Sequence, residues 1–193
     1  MAAFYFDVGG VLISDQLAPA NAINLFRKWA PRYNFNPDSA HATYTRLQPS
    51  LDLGVTSLND LCTALGVEEQ AFVQDWLALH PVNHEVIKVI ERLIVDGHSV
   101  GLATNFLQTI ARLADREYES TGKGGGLLFI RHRADKPSAE FYRRANDLIG
   151  SNEVVFVDDR RVNVDAARRV GWTAIEATDG WLVRFKGTYL AYA

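Results

Sequence analysis

From Pro81 onward the chain repeats one alternation: apolar residues at helical spacing, a turn signal, then a short apolar run of strand character. Val82, Val86, Val89, Ile90, Leu93 and Ile94 line one helical face, Asp96-Gly97 stops it, and Ser99–Ala103 reads as a strand. A helical stretch after Asn105, a strand near Leu127–Arg131, a helix opening at Pro137, a strand at Glu153–Val157, a helix through Ala166-Ala167 and a strand at Thr173–Glu176 follow in order. Strands joined by crossover helices pair in parallel, and a parallel sheet needs helices on both faces. The predicted fold class is therefore α/β, a doubly wound parallel sheet.

One more strand belongs to this sheet. Ala2–Val8 is short, aromatic-rich and closed by Gly9-Gly10, which places Asp7 at a strand tip followed by a tight turn. Between it and Pro81 the pattern changes: Ile23, Phe26 and Ala30 fall at helical spacing and no strand signal appears. The expected partition is a core of residues 1–15 and 81–193 with a helical insert of residues 16–80. Trp29, Trp76 and Phe26 are read as core of that insert rather than as a base-stacking surface. The aromatic tail from Trp181 is expected to dock onto the core.

Charge and cysteine content narrow the function classes. A net charge of -3 supplies no pull toward nucleic acid or an anionic membrane. The single cysteine, Cys62, excludes an intrachain disulfide, packs as a small hydrophobe and fits a cytoplasmic setting. No basic segment precedes Phe4 and no apolar run reaches the length of a bilayer span, so neither a secretion signal nor a membrane helix is expected. Ser120-Thr121-Gly122-Lys123-Gly124-Gly125-Gly126 looks like a phosphate loop only superficially, because Glu117 fills the first glycine position; it reads as a turn. His80 and His84 are spaced i, i+4, but Pro81 breaks the helix that would align them on a metal, so both read as solvated or capping residues.

Ligands of an open parallel sheet sit beyond the carboxyl ends of its strands. The polar residues found there are Asp7, Thr104-Asn105, Lys136 and Asp158-Asp159. Singly each has an ordinary reading, as turn residue, helix cap or solvated punctuation. The Asp158-Asp159 pair is less ordinary, since adjacent carboxylates at a sheet end repel unless a cation neutralises them.

In this order the four positions resemble the motifs of the haloacid dehalogenase superfamily. Phe4-Tyr5-Phe6-Asp7-Val8-Gly9-Gly10-Val11-Leu12 is similar to the first motif, Gly101-Leu102-Ala103-Thr104-Asn105 to the second, and Lys136-Pro137-Ser138-Ala139-Glu140-Phe141-Tyr142 to the third in the subgroup whose cap lies between the first two. Val154-Val155-Phe156-Val157-Asp158-Asp159-Arg160, followed by Asn163, Ala166-Ala167 and Gly171, resembles the fourth. The resemblance implies a small helical cap in the insert and a phosphatase acting on a small phosphorylated metabolite through an aspartyl-phosphate on Asp7. It further implies Mg²⁺ held by the Asp7 carboxylate, the Gly9 carbonyl and Asp159, with Thr104, Asn105 and Lys136 at the phosphoryl oxygens and Asp158 and Asn163 in support. Mg²⁺ prefers few carboxylates plus waters and substrate oxygens, which suits so sparse a set.

Gly9 departs from the family pattern, which places a second aspartate two residues after the nucleophile to protonate the leaving group. General acid help is worth about 10²–10⁴ in rate. Asp15 and Asp158 are the conceivable stand-ins, and some sugar-phosphate phosphatases of the superfamily share an Asp-x-Gly start. Two alternatives follow: metal-free dehalogenation of a 2-haloacid by the same aspartate, and a catalytically weak binding protein on the same fold.

Overall fold

The structure is a computed structural model describing residues 2–13, 19–103, 105, 128–129 and 136–190. All structural statements below concern those residues. They fall into two compact units, one of residues up to 13 and from 82 onward, the other of residues 19–81.

The first unit is a five-stranded sheet, all of whose pairings are parallel. Its strands are β1 (Ala3–Phe6), β2 (Ser99–Leu102), β3 (Leu128–Phe129), β4 (Val154–Asp158) and β5 (Thr173–Glu176), in the spatial order β3-β2-β1-β4-β5. β1 is central, with Ala3 opposite both Ser99 and Val154. Every residue of β1 and β4 is buried, as a sheet covered on both faces requires. On one face Tyr5, Phe156, Tyr142 and Trp172 pack ring against ring.

Flanking helices are α5 (His84–Val95), α6 (Ala139–Ile149), α7 (Arg161–Arg169) and α8 (Trp181–Tyr189). α5 buries Val86, Val89, Ile90 and Leu93, matching the predicted stripe. Val82 does not belong to that stripe. Asn83 caps the helix, and Val82 lies in an extended bridge opposite Ile13. The helix expected at Pro137 begins two residues later behind the cap Ser138, because an Oδ- or Oγ-type acceptor is needed where the first turn leaves amides unpaired. The aromatic tail forms α8, whose Phe185 packs on Phe4 and Phe6. The residues expected to form the helix after Asn105, and the glycine-rich 122–126 turn, lie outside the described residues.

The second unit holds α1 (Pro19–Tyr33), α2 (Pro37–Asp52), α3 (Leu58–Leu65) and α4 (Glu69–Leu79). Their boundaries follow local chemistry: Asn36 caps α2, Ser57 and Asp60 form a capping box at α3, and Gly66 ends α3 with a φ of 69°. Phe26, Trp29, Phe72 and Trp76 are all buried here, as their spacing predicts. Cys62 is buried too, and burial pushes its thiol up to about 12. His80 corrects the sequence reading: it is buried, with its ring stacked 3.8 Å from Trp76 and Nδ1 2.6 Å from the Trp76 carbonyl. Pro81 does interrupt the helix, but the apolar neighbour four residues back claims the imidazole.

Candidate active site

The site is built where β1 and β4 end side by side. Ala103 N–H donates to Phe6 O and Asp7 N–H donates to Val157 O, at 2.9 and 2.8 Å, so the sheet grips the backbone on both sides up to Asp7. The chain then turns at once, with Leu12 and Ile13 both donating to Val8 O. The turn uses Gly10 in the left-handed region, φ +70°, whereas Gly9 is not among the positive-φ residues. A Cβ on Gly10 would lie 2.4 Å from Asp159 Oδ2 and 2.8 Å from Asp159 Cβ, so only glycine admits the Asp159 side chain this close.

Three carboxylates meet here. Asp7, Asp158 and Asp159 each offer an oxygen within 4.8 Å of the others. Facing them is Lys136, the one buried lysine or arginine among the described residues. Its Nζ lies 2.6 Å from Asp158 Oδ2 and 3.0 Å from Asp7 Oδ1, with the Phe156 ring 5.3 Å away. Asp7 Oδ1 also accepts from Val8 N–H at 2.7 Å. Burial, and then Asp158 and Asp159, push the Asp7 carboxyl up to about 7 against the opposing pull of Lys136.

The two adjacent aspartates differ in what they have left to offer. Asp158 is fully buried, and both its oxygens accept from Asn163 Nδ2, one more from Arg160 N–H and the other from Lys136. Asp159 is partly exposed. Asp7 and the partly exposed Asp159 are thus the carboxylates that could face a hard cation, while Asp158 is engaged with Lys136, Asn163 and Arg160. Three carboxylates converging within 4.8 Å of one another form a set that a divalent cation would bridge. The donor set thus fits the metal that the sequence motifs imply.

Asn105 sits at the end of β2, where its side-chain amide both donates to Lys136 O and accepts from Lys136 N–H, each at 2.8 Å. Asn163 is held in turn by Tyr142, whose hydroxyl donates to the Asn163 carbonyl at 2.9 Å. Tyr142 was not singled out from the sequence; its place on the buried stripe of α6 is a packing signal, and only the fold brings it to Asn163. Thr104 and Asp15 lie outside the described residues.

The comparisons agree with this architecture. No protein-family model and no curated protein sequence matches the chain. Among solved structures, a HAD family enzyme from Bacteroides thetaiotaomicron in a magnesium complex superposes with a TM-score of 0.72 at 14% identity, over 96% of this chain and 98% of that one. A predicted HAD-like family hydrolase from Porphyromonas gingivalis gives 0.67 at 18% identity, covering 100% and 99%. The L-2-haloacid dehalogenase of Xanthobacter autotrophicus, with chloropropionic acid covalently bound, gives 0.57 at 14% identity over 99% and 84%. The chain therefore has the haloacid dehalogenase fold. Within that fold it is of the type whose helical unit is inserted between the first and second strands.

Proposed function

We propose that the protein is a Mg²⁺-dependent phosphohydrolase of the cytoplasm that acts on a small phosphorylated metabolite, with Asp7 as nucleophile. The observation that carries the reading is the cluster of Asp7, Asp158 and Asp159 around a single buried ammonium. Three carboxylates brought this close suit a cation, for which a metal-free dehalogenase has no use. A strand-end carboxylate gripped by two neighbouring strands is also a nucleophile already held in place.

In this reading an Asp7 carboxylate oxygen attacks phosphorus, the bond from phosphorus to the leaving oxygen breaks, and water then cleaves the resulting acyl phosphate. Lys136 and Thr104 hold phosphoryl oxygens, Lys136 kept in place by Asp158 and Asn163. Asp7, Asp159 and the Gly9 carbonyl would hold Mg²⁺, which when bound offsets the negative charge of the transferring group. The 19–81 helical unit acts as the cap that sets substrate choice. The magnesium and inorganic phosphate complex of the Bacteroides enzyme on this fold is consistent with the same chemistry.

The test is a screen of phosphorylated metabolites and 2-haloacids with Mg²⁺ or with chelator. Phosphate release that needs Mg²⁺ and disappears in Asp7→Asn is the expected outcome. Halide release indifferent to chelator would replace the reading with dehalogenation, and Mg²⁺ binding without any turnover would replace it with a binding role.

A further inference from the structure

We infer that Asn105 is a positioning residue that locks the backbone of Lys136 to the end of β2. The inference rests on the reading of Lys136 as a phosphoryl contact. Lys136 lies in a turn, outside any strand or helix, so its N–H and C=O have no ladder to join. Asn105, 31 residues earlier, supplies the missing rung: its amide oxygen takes the Lys136 N–H and its amide nitrogen donates to the Lys136 O, both at 2.8 Å. A primary amide carries an acceptor and a donor side by side in one plane, as a peptide unit does, and no carboxylate or hydroxyl of this length offers both in that arrangement.

The clamp matters because of what holds the other end of the residue. The ammonium is fixed by Asp158 and Asp7, which are carried by β4 and the end of β1, with the Phe156 ring of β4 beneath it. Nothing in that set ties Lys136 to β2. Asn105 does so, and its covalent neighbour is Thr104, the other residue proposed to hold the phosphoryl group. The amide pair therefore ties the backbone of the phosphoryl contact proposed for Lys136 to the segment just after β2. Asn105 thus acts through Lys136, with its amide oxygen and one amide hydrogen already occupied.

Amide hydrogen exchange at Lys136, read by NMR on the protein without metal or substrate, tests the clamp directly. In the wild type this amide should be protected, and Asn105→Ala should speed its exchange by at least about tenfold. Asn105→Asp keeps the shape and the acceptor but loses the donor, and serves where the alanine variant does not fold. With p-nitrophenyl phosphate and Mg²⁺, either variant should lower kcat by about 10–100-fold. KM and the inhibition constant of inorganic phosphate should move by less than about threefold. Unchanged exchange at Lys136 in Asn105→Ala would overturn the inference, as would a loss of phosphate affinity as large as the loss of kcat in Asn105→Asp, which would make Asn105 a phosphate ligand. A wild type that releases no phosphate from any ester sinks the functional reading instead, and the exchange result still decides whether the clamp exists.

Discussion

Replacing Asp7 by Asn should stabilise the metal-free protein at neutral pH while abolishing turnover. An asparagine in that place keeps the oxygen that accepts from Val8 and Lys136, and removes a charge buried beside Asp158 and Asp159. The folded protein keeps the Asp7 proton up to about pH 7, whereas the unfolded chain releases it near the ordinary carboxylate value of 3.8. Between those limits the folded state binds more protons, so stability is fully present below about pH 4 and falls as pH rises through about 7. At about 1.4 kcal/mol per pH unit the loss is bounded by roughly 4 kcal/mol. Asp7→Asn lacks this loss, so its advantage in chelator should be near zero at about pH 4 and grow toward that bound at about pH 8. Urea denaturation at several pH values, each with EDTA and with Mg²⁺, measures it. Mg²⁺ should narrow the gap, since it competes with the proton for the same carboxylate. A difference independent of pH, or a variant less stable at about pH 8, would show that burial does not govern Asp7.

Three further perturbations test other parts of the site. Lys136→Met leaves Asp7 and Asp158 buried without their cation, so the metal-free protein should lose about 3–5 kcal/mol in denaturant titrations, and the Asp7 carboxyl should titrate higher still. Gly10→Ala forces a left-handed φ on alanine, costing about 1–2 kcal/mol, and drives a methyl into Asp159, so calorimetry should find weakened Mg²⁺ binding along with the lower stability. Gly9→Asp, at a residue without positive φ, should raise turnover of alkyl phosphates more than of aryl phosphates, by at most the ~10²–10⁴ of general acid catalysis; equal gains for both would mean that the leaving group already receives its proton elsewhere.

Much of the fold is legible in the order of the residues. β5 falls at Thr173–Glu176 as read, β4 is displaced by one residue, and the burial of α5 follows its 3.6-residue stripe, because these elements are set by periodicity and local turn chemistry. Val82 and His80 depart from the sequence reading for different reasons: Val82 is placed by the distant backbone of Ile13, and His80 by the Trp76 ring four residues back, whose stacking helical spacing alone does not reveal. At the site, sequence could nominate Asp7, Lys136 and the Asp158-Asp159 pair. The division of labour between the two adjacent aspartates comes from the family resemblance alone, since residue spacing gives no sign that the Asn163 amide and the Arg160 N–H converge on Asp158. Nor does spacing show that the Asn105 amide is directed at the backbone of a residue 31 positions away.

The position of β1 has a consequence for how the chain is made. β1 is synthesised before both of its partners and ends between them, with Ala3 pairing with Ser99 on one side and Val154 on the other. Its Phe4 and Phe6 also pack against Phe185, which is synthesised later still. Each pairing of β1 therefore spans about half of the chain or more, a topology that folds slowly because loops must close before contacts reward them. Until those partners have been made, Phe4-Tyr5-Phe6 is an open strand with unsatisfied edges and an apolar surface, the kind of segment that seeks other chains. Asp7 thus reaches the tip of the sheet's central strand by way of an aggregation-prone intermediate. Deleting the last helix should show this as loss of soluble protein during expression before any loss of secondary structure in what remains.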